Sequence, residues 1–62
     1  MHVIYRDRTW DFAETLTVRQ LLERLKLLPE AVLVVRDGVL LTEDQTLHPD
    51  DTVKIVAVIS GG

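Results

Sequence analysis

The 62-residue chain contains no cysteine. That excludes disulfides, thiolate metal sites, iron–sulfur clusters and cysteine nucleophiles. Aromatic residues are scarce, with one Trp, one Tyr and one Phe, and Trp10 reads as a core or hairpin-anchoring residue rather than a stacking platform. The longest apolar runs, Ala31 to Val35 and Ile55 to Ile59, fall far short of the roughly 20 residues a membrane span needs. The first residues, MHVIYRDR, read as a strand and a turn rather than a signal peptide, so the expectation is a cytoplasmic protein with no membrane contact. Positive charge is limited to seven scattered Lys and Arg residues against ten acidic ones, a net charge of −3. No basic stripe tracks a phosphate backbone, which argues against direct nucleic-acid binding.

What is present is an apolar fraction of 47%, enough for one compact core in a single domain of marginal size. His2 to Arg6 and Thr9 to Glu14 read as a β-hairpin turning at Asp7-Arg8, with Trp10 and Phe12 on one face. Thr17-Val18-Arg19-Gln20 fits a capping box, and Leu16 and Leu21 complete a hydrophobic staple. Val18, Leu21, Leu22 and Leu25 keep the spacing of one buried helical face, and Pro29 bars continuation, so the helix is expected over 18–27. Ala31 to Arg36 reads as a strand. Asp37-Gly38 is the preferred two-residue type I′ turn, and Val39 to Leu41 is the return strand. Residues 42–48 read as a loop with room for one helical turn, 49–51 as a turn, and 52–59 as the last strand.

The order β-β-α-β-β-β places one helix over a mixed sheet, an α+β layout of the β-grasp, or ubiquitin-like, kind. A helix covers one face only, so each strand should have an apolar and a polar side. Two strands break that rule. Val53, Ile55, Ala57 and Ile59 form one row of the last strand, but Lys54, Val56, Val58 and Ser60 form an opposite row that is also largely apolar. If Val32 and Val34 face the helix, Leu33 and Val35 face water. The chain then ends Ser60-Gly61-Gly62. With glycine at about 7% of average residues, a chance Gly-Gly ending is on the order of 0.5%. Two glycines add no buried surface and cost the most backbone entropy to order, but they let a terminal carboxylate enter a narrow enzyme site unhindered. The division expected is a folded domain over 1–59 and a flexible tail over 60–62.

On these residues the chain resembles the small prokaryotic sulfur-carrier proteins, the ThiS and MoaD group, relatives of ubiquitin. The resemblance covers the whole chain. It rests on the element order, the Arg36-Asp37-Gly38 hairpin, the stretch Leu40-Leu41-Thr42-Glu43-Asp44, the entry Asp50-Asp51-Thr52-Val53 and the ending Ile59-Ser60-Gly61-Gly62. Its length is similar to the thiamin-type carriers, and its second half looks most like the TtuB-like set that supplies sulfur for 2-thiolation of tRNA.

The resemblance implies a carrier rather than an enzyme, with no catalytic residue, metal ligand or cofactor of its own. An E1-like adenylating enzyme, using ATP and Mg, would join the Gly62 carboxylate to AMP. A sulfur donor such as a cysteine desulfurase or rhodanese would then leave Gly62 as a thiocarboxylate for a downstream sulfur-accepting enzyme. Gly61 and Gly62 are the residues handled by these partners. Ile4, Leu33, Val35, Val56 and Val58, with Ser60, are expected to form a partner-binding surface beside the tail, since clustered exposed apolar side chains usually mark such a site. The acceptor stays open among tRNA thiouridine, thiamin thiazole, molybdopterin and a sulfur amino acid. A protein modifier joined through Gly62 to lysines is an alternative, as is a β-grasp binding module with an inert tail. His2 and His48 are isolated, with no ligands at metal spacing. Glu43-Asp44 and Asp50-Asp51 read as loop caps rather than calcium or acid–base sites.

Overall fold

The computed structural model describes residues 1–58. The helix, α1, runs Val18–Leu25 and begins with the expected capping box. The Thr17 hydroxyl accepts from the Gln20 N–H at 3.1 Å, and the Gln20 side-chain oxygen accepts from the Thr17 N–H at 2.9 Å. The next two amides that a helix start leaves unpaired are satisfied from a distant loop. Val18 N–H donates to the Gln45 carbonyl and Arg19 N–H to the Glu43 carbonyl, both at 3.0 Å.

The helix stops two residues before the expected 18–27. Lys26 turns left-handed, with φ of 59°, and its N–H donates to the Glu23 carbonyl while Leu27 N–H donates to the Leu22 carbonyl. This pair of bonds is a Schellman closure. It reverses the chain early enough for both Leu25 and Leu27 to pack against the core. Pro29 therefore does not end the helix. It opens a single 3₁₀ turn, Pro29–Ala31, which takes Ala31 out of the strand expected to contain it.

Among the described residues seven strands accompany the helix: β1 His2–Tyr5, β2 Arg8–Asp11, β3 Leu16–Thr17, β4 Val32–Arg36, β5 Val39–Leu41, β6 Thr46–Leu47 and β7 Thr52–Ala57. The main sheet has the order β2-β1-β7-β4-β5, with β1 and β7 parallel and the other pairs antiparallel. With α1 on one face, this is the expected β-grasp arrangement. Asp37 and Gly38 both have positive φ, 54° and 78°, as a type I′ turn requires.

The first hairpin turns at Arg6-Asp7, one residue earlier than expected, and β2 ends at Asp11 rather than Glu14. The earlier turn sets Val3 opposite Trp10 and lets Phe12 N–H donate to the Met1 carbonyl at 2.8 Å. A later turn would pair Val3 with Phe12 and carry Met1 past the end of the ladder. Residues 42–48 contain no helical turn. They contain β6, which pairs with β3 in a two-stranded sheet.

The core lies between α1 and the inner sheet face. Leu21, Leu22, Leu47, Val3, Val53 and Ile55 are each at most 2% exposed. Leu47 comes from the same segment whose carbonyls cap the helix. At the end of β4, Arg36 Nη1 donates to Asp51 Oδ2 at 3.0 Å and to the Thr46 carbonyl at 3.1 Å. Asp51 Oδ2 also accepts the His48 N–H at 2.9 Å, and the Asp51 carbonyl accepts from His2 N–H. One aspartate thus ties the 48–51 turn to β4 and β1.

The His48 N–H first, and then Arg36, hold the Asp51 carboxyl below its ordinary value. A depressed carboxylate contributes stability that is complete above its unfolded value of about 4 and is lost as pH falls through the folded value. Asp51→Asn is therefore expected to lower Tm at pH 7 and to narrow the gap between Tm at neutral pH and Tm near pH 3, as thermal scans across that range would show. Lys26→Gly is expected to stabilise by about 0.5–1 kcal/mol, because glycine takes left-handed φ without the Cβ penalty. Urea unfolding would show this as a higher midpoint at unchanged slope.

Candidate functional site

The sheet face away from α1 is assembled by register. The outward residues of β7 are Thr52, Lys54 and Val56. Across the sheet, Lys54 lies between Ile4 on β1 and Val35 on β4, and Val56 lies beside Leu33. Ile4 in turn faces Thr9 on β2. Beyond β7, Val58 N–H donates to the Ala31 carbonyl at 2.8 Å, which keeps the last described residue against the sheet.

Of the expected surface residues, Ile4, Leu33, Val35 and Val56 share this face as neighbours. Leu33 is 42% exposed, Val56 41% and Val58 43%, whereas Ile4 and Val35 are half-buried between their neighbours. Ser60, Gly61 and Gly62 lie outside the described residues, as does the division placed between 59 and 60. The aliphatic end of the face is the end at which β7 leads toward them.

One member of this face was missed. Leu40 on β5 is 57% exposed and pairs directly with Val35. Its signal was in the sequence: a two-residue turn at Asp37-Gly38 forces position 40 opposite position 35. Val39 and Leu28 are also exposed, but Val39 pairs with Arg36, whose side chain reaches toward β6 and the 48–51 turn.

Several other polar side chains have structural partners. Glu43 Oε1 accepts from Arg19 at 3.2 Å. Asp44 accepts the Thr42 hydroxyl at 2.6 Å, which with a backbone bond holds its carboxyl low. Glu14 is held low by a two-pronged contact from Arg24, at 2.6 and 3.0 Å. His2 Nδ1 sits 2.9 Å from Asp11 Oδ1. Trp10 packs against the core and carries the Arg8 guanidinium 5.3 Å from its ring centre. Among the described residues no three His, Asp or Glu side chains converge to hold a metal ion, and no helix is long and apolar enough to cross a membrane.

A groove of about 280 Å³ opens between α1 and the β4–β5 hairpin, lined in part by Val18, Leu22, Val32, Leu41 and Glu43. Its one ionisable lining group, Glu43, is the partner of Arg19. The sheet face away from α1 is thus open and aliphatic toward the end of β7.

Comparison with known proteins bears on the same residues. The family model described as "ThiS family" matches residues 2–62, which includes the four residues after Val58. The sulfur carrier protein TtuB of Thermus thermophilus is 42% identical over 45 residues, covering 73% of this chain and 69% of that protein. A β-grasp core, an aliphatic outer face and a family match that runs through the closing Gly61-Gly62 agree with one another, and the chain belongs to the ThiS family.

Proposed function

We propose that this protein is a sulfur carrier that works through the carboxylate of Gly62. The observation that carries the reading is the ThiS-family match extending through Gly61-Gly62, on a chain whose aliphatic outer face borders the end of β7. The chain supplies an acyl group and a docking surface, and its partners supply the catalysis.

A free carboxylate is a poor acyl donor. In the proposed cycle an E1-like adenylating enzyme binds ATP and Mg. A Gly62 carboxylate oxygen attacks the α-phosphorus, pyrophosphate leaves, and an acyl adenylate forms. Sulfide then attacks the Gly62 carbonyl and AMP departs. Where the persulfide of a cysteine desulfurase or rhodanese attacks instead, an acyl disulfide forms and a thiol of the donor cleaves it, leaving the thiocarboxylate and a donor disulfide. The product is a thiocarboxylate, a soft nucleophile that a second enzyme uses. No step asks this chain for an acid, a base or a thiol, which agrees with a sequence lacking cysteine.

The resemblance of the second half to the TtuB-like set, and the match to TtuB itself, favour tRNA 2-thiolation as the destination. Thiamin thiazole follows, and molybdopterin after it. ATP-dependent activation of this kind suits the cytoplasm. Leu33, Val56, Val58 and Leu40 would form the centre of the partner contact, with Ile4 and Val35 beside them, because removing aliphatic surface from water is the main favourable term in such association.

Incubation with the adenylating enzyme of the same organism, ATP, Mg and sulfide tests the cycle by intact mass. Wild type is expected to gain the mass of exchanging one oxygen for sulfur, and a chain ending at Ser60 is expected to gain nothing. No AMP adduct and no sulfur gain on wild type would remove the reading. Val56→Asp is expected to lower kcat/KM for adenylation at least tenfold, or about 1.4 kcal/mol, with Tm nearly unchanged because the position is open to water. Pyrophosphate release measures the first quantity and a thermal scan the second.

A further inference from the structure

The outer face carries one lysine in its most crowded row. Lys54 stands on the central strand with Ile4 on one side and Val35 on the other, and Val35 continues to Leu40. Among the described residues its ammonium makes no ion pair and no side-chain hydrogen bond. Of the ten acidic residues, only Asp11 occupies an outward strand position, and its carboxylate is engaged by His2. A chain with net charge −3 thus presents a face on which, among the described residues, the strand charge without a partner is positive and its neighbours are aliphatic.

A partner that covers Leu33, Val35 and Val56 also covers Lys54. Leaving an ammonium buried and unpaired costs several kcal/mol, so the complementary surface must offer it an anion. A nucleic acid would meet one cation among aliphatic side chains, whereas phosphate backbones are bound by several cations in a track. Resting on the docking role proposed above, we infer that the adenylating partner places a single Asp or Glu carboxylate opposite Lys54 within an otherwise apolar contact. The pair fixes the rotational setting of the carrier, and so the direction in which β7 delivers the tail. It also rejects surfaces that carry a cation at that point, where like charges oppose each other.

Calorimetric titration of the adenylating enzyme of the same organism with wild type, Lys54→Arg, Lys54→Met, Lys54→Glu and Val56→Asp tests this. Thermal scans confirm that each variant is folded. Lys54→Arg is expected to bind within a few-fold of wild type. Lys54→Met, which keeps the stem and removes the charge, is expected to bind about tenfold more weakly, because the partner's carboxylate is left unpaired. Lys54→Glu is expected to be weaker still.

Lys54→Met binding as tightly as wild type, with Val56→Asp weakened, would overturn the carboxylate while leaving the docking face intact. Wild-type affinity in both Lys54→Glu and Val56→Asp would remove the docking face itself, and the inference with it.

Discussion

β7 is hydrogen-bonded on both sides, parallel to β1 and antiparallel to β4. Each of its side chains therefore has only two directions available. Val53 and Ile55 take the inner direction and are fully buried against α1, and that choice commits Lys54 and Val56 to the outer face. The same registers bring Ile4, Leu33 and Val35 beside them. The core and the candidate docking surface are two sides of one alignment. A one-residue slip of β7 would send Lys54 into the core and Val53 into water, so the surface is specified as strongly as the core that pins it.

The parts legible in the sequence were those that local chemistry decides. Thr17 and Gln20 bond each other's backbone as the capping box required, and Asp37-Gly38 took the left-handed pair of conformations that a type I′ turn needs. Both signals are complete within four residues. The outward row on β7 was legible for another reason: an aliphatic residue where alternation calls for a polar one is visible without knowing the fold.

What escaped was decided at longer range. β3 and β6 have two residues each, too short for any period to register, and they form because α1 needs acceptors for Val18 and Arg19 that only residues 43–45 supply. The left-handed turn at Lys26 carries no glycine to announce it and is imposed by the burial of Leu25 and Leu27. The Arg6-Asp7 turn follows from where Met1 and Phe12 meet. Leu40 joins the outer face through register: the two-residue turn at Asp37-Gly38 sets it opposite Val35, a consequence that appears only on the partner strand.

The parallel pairing of β1 with β7 has a mechanical meaning. In a parallel pair the start of one strand and the far end of the other lie at opposite ends of the ladder. A pull on the chain beyond Val58, resisted at the start of β1, acts along the strands. Hydrogen bonds loaded in that direction share the force and yield together, whereas bonds loaded crosswise open one at a time. A load applied beyond Val58 would therefore meet the sheet along its stiffest direction, and the domain behind it would keep its shape.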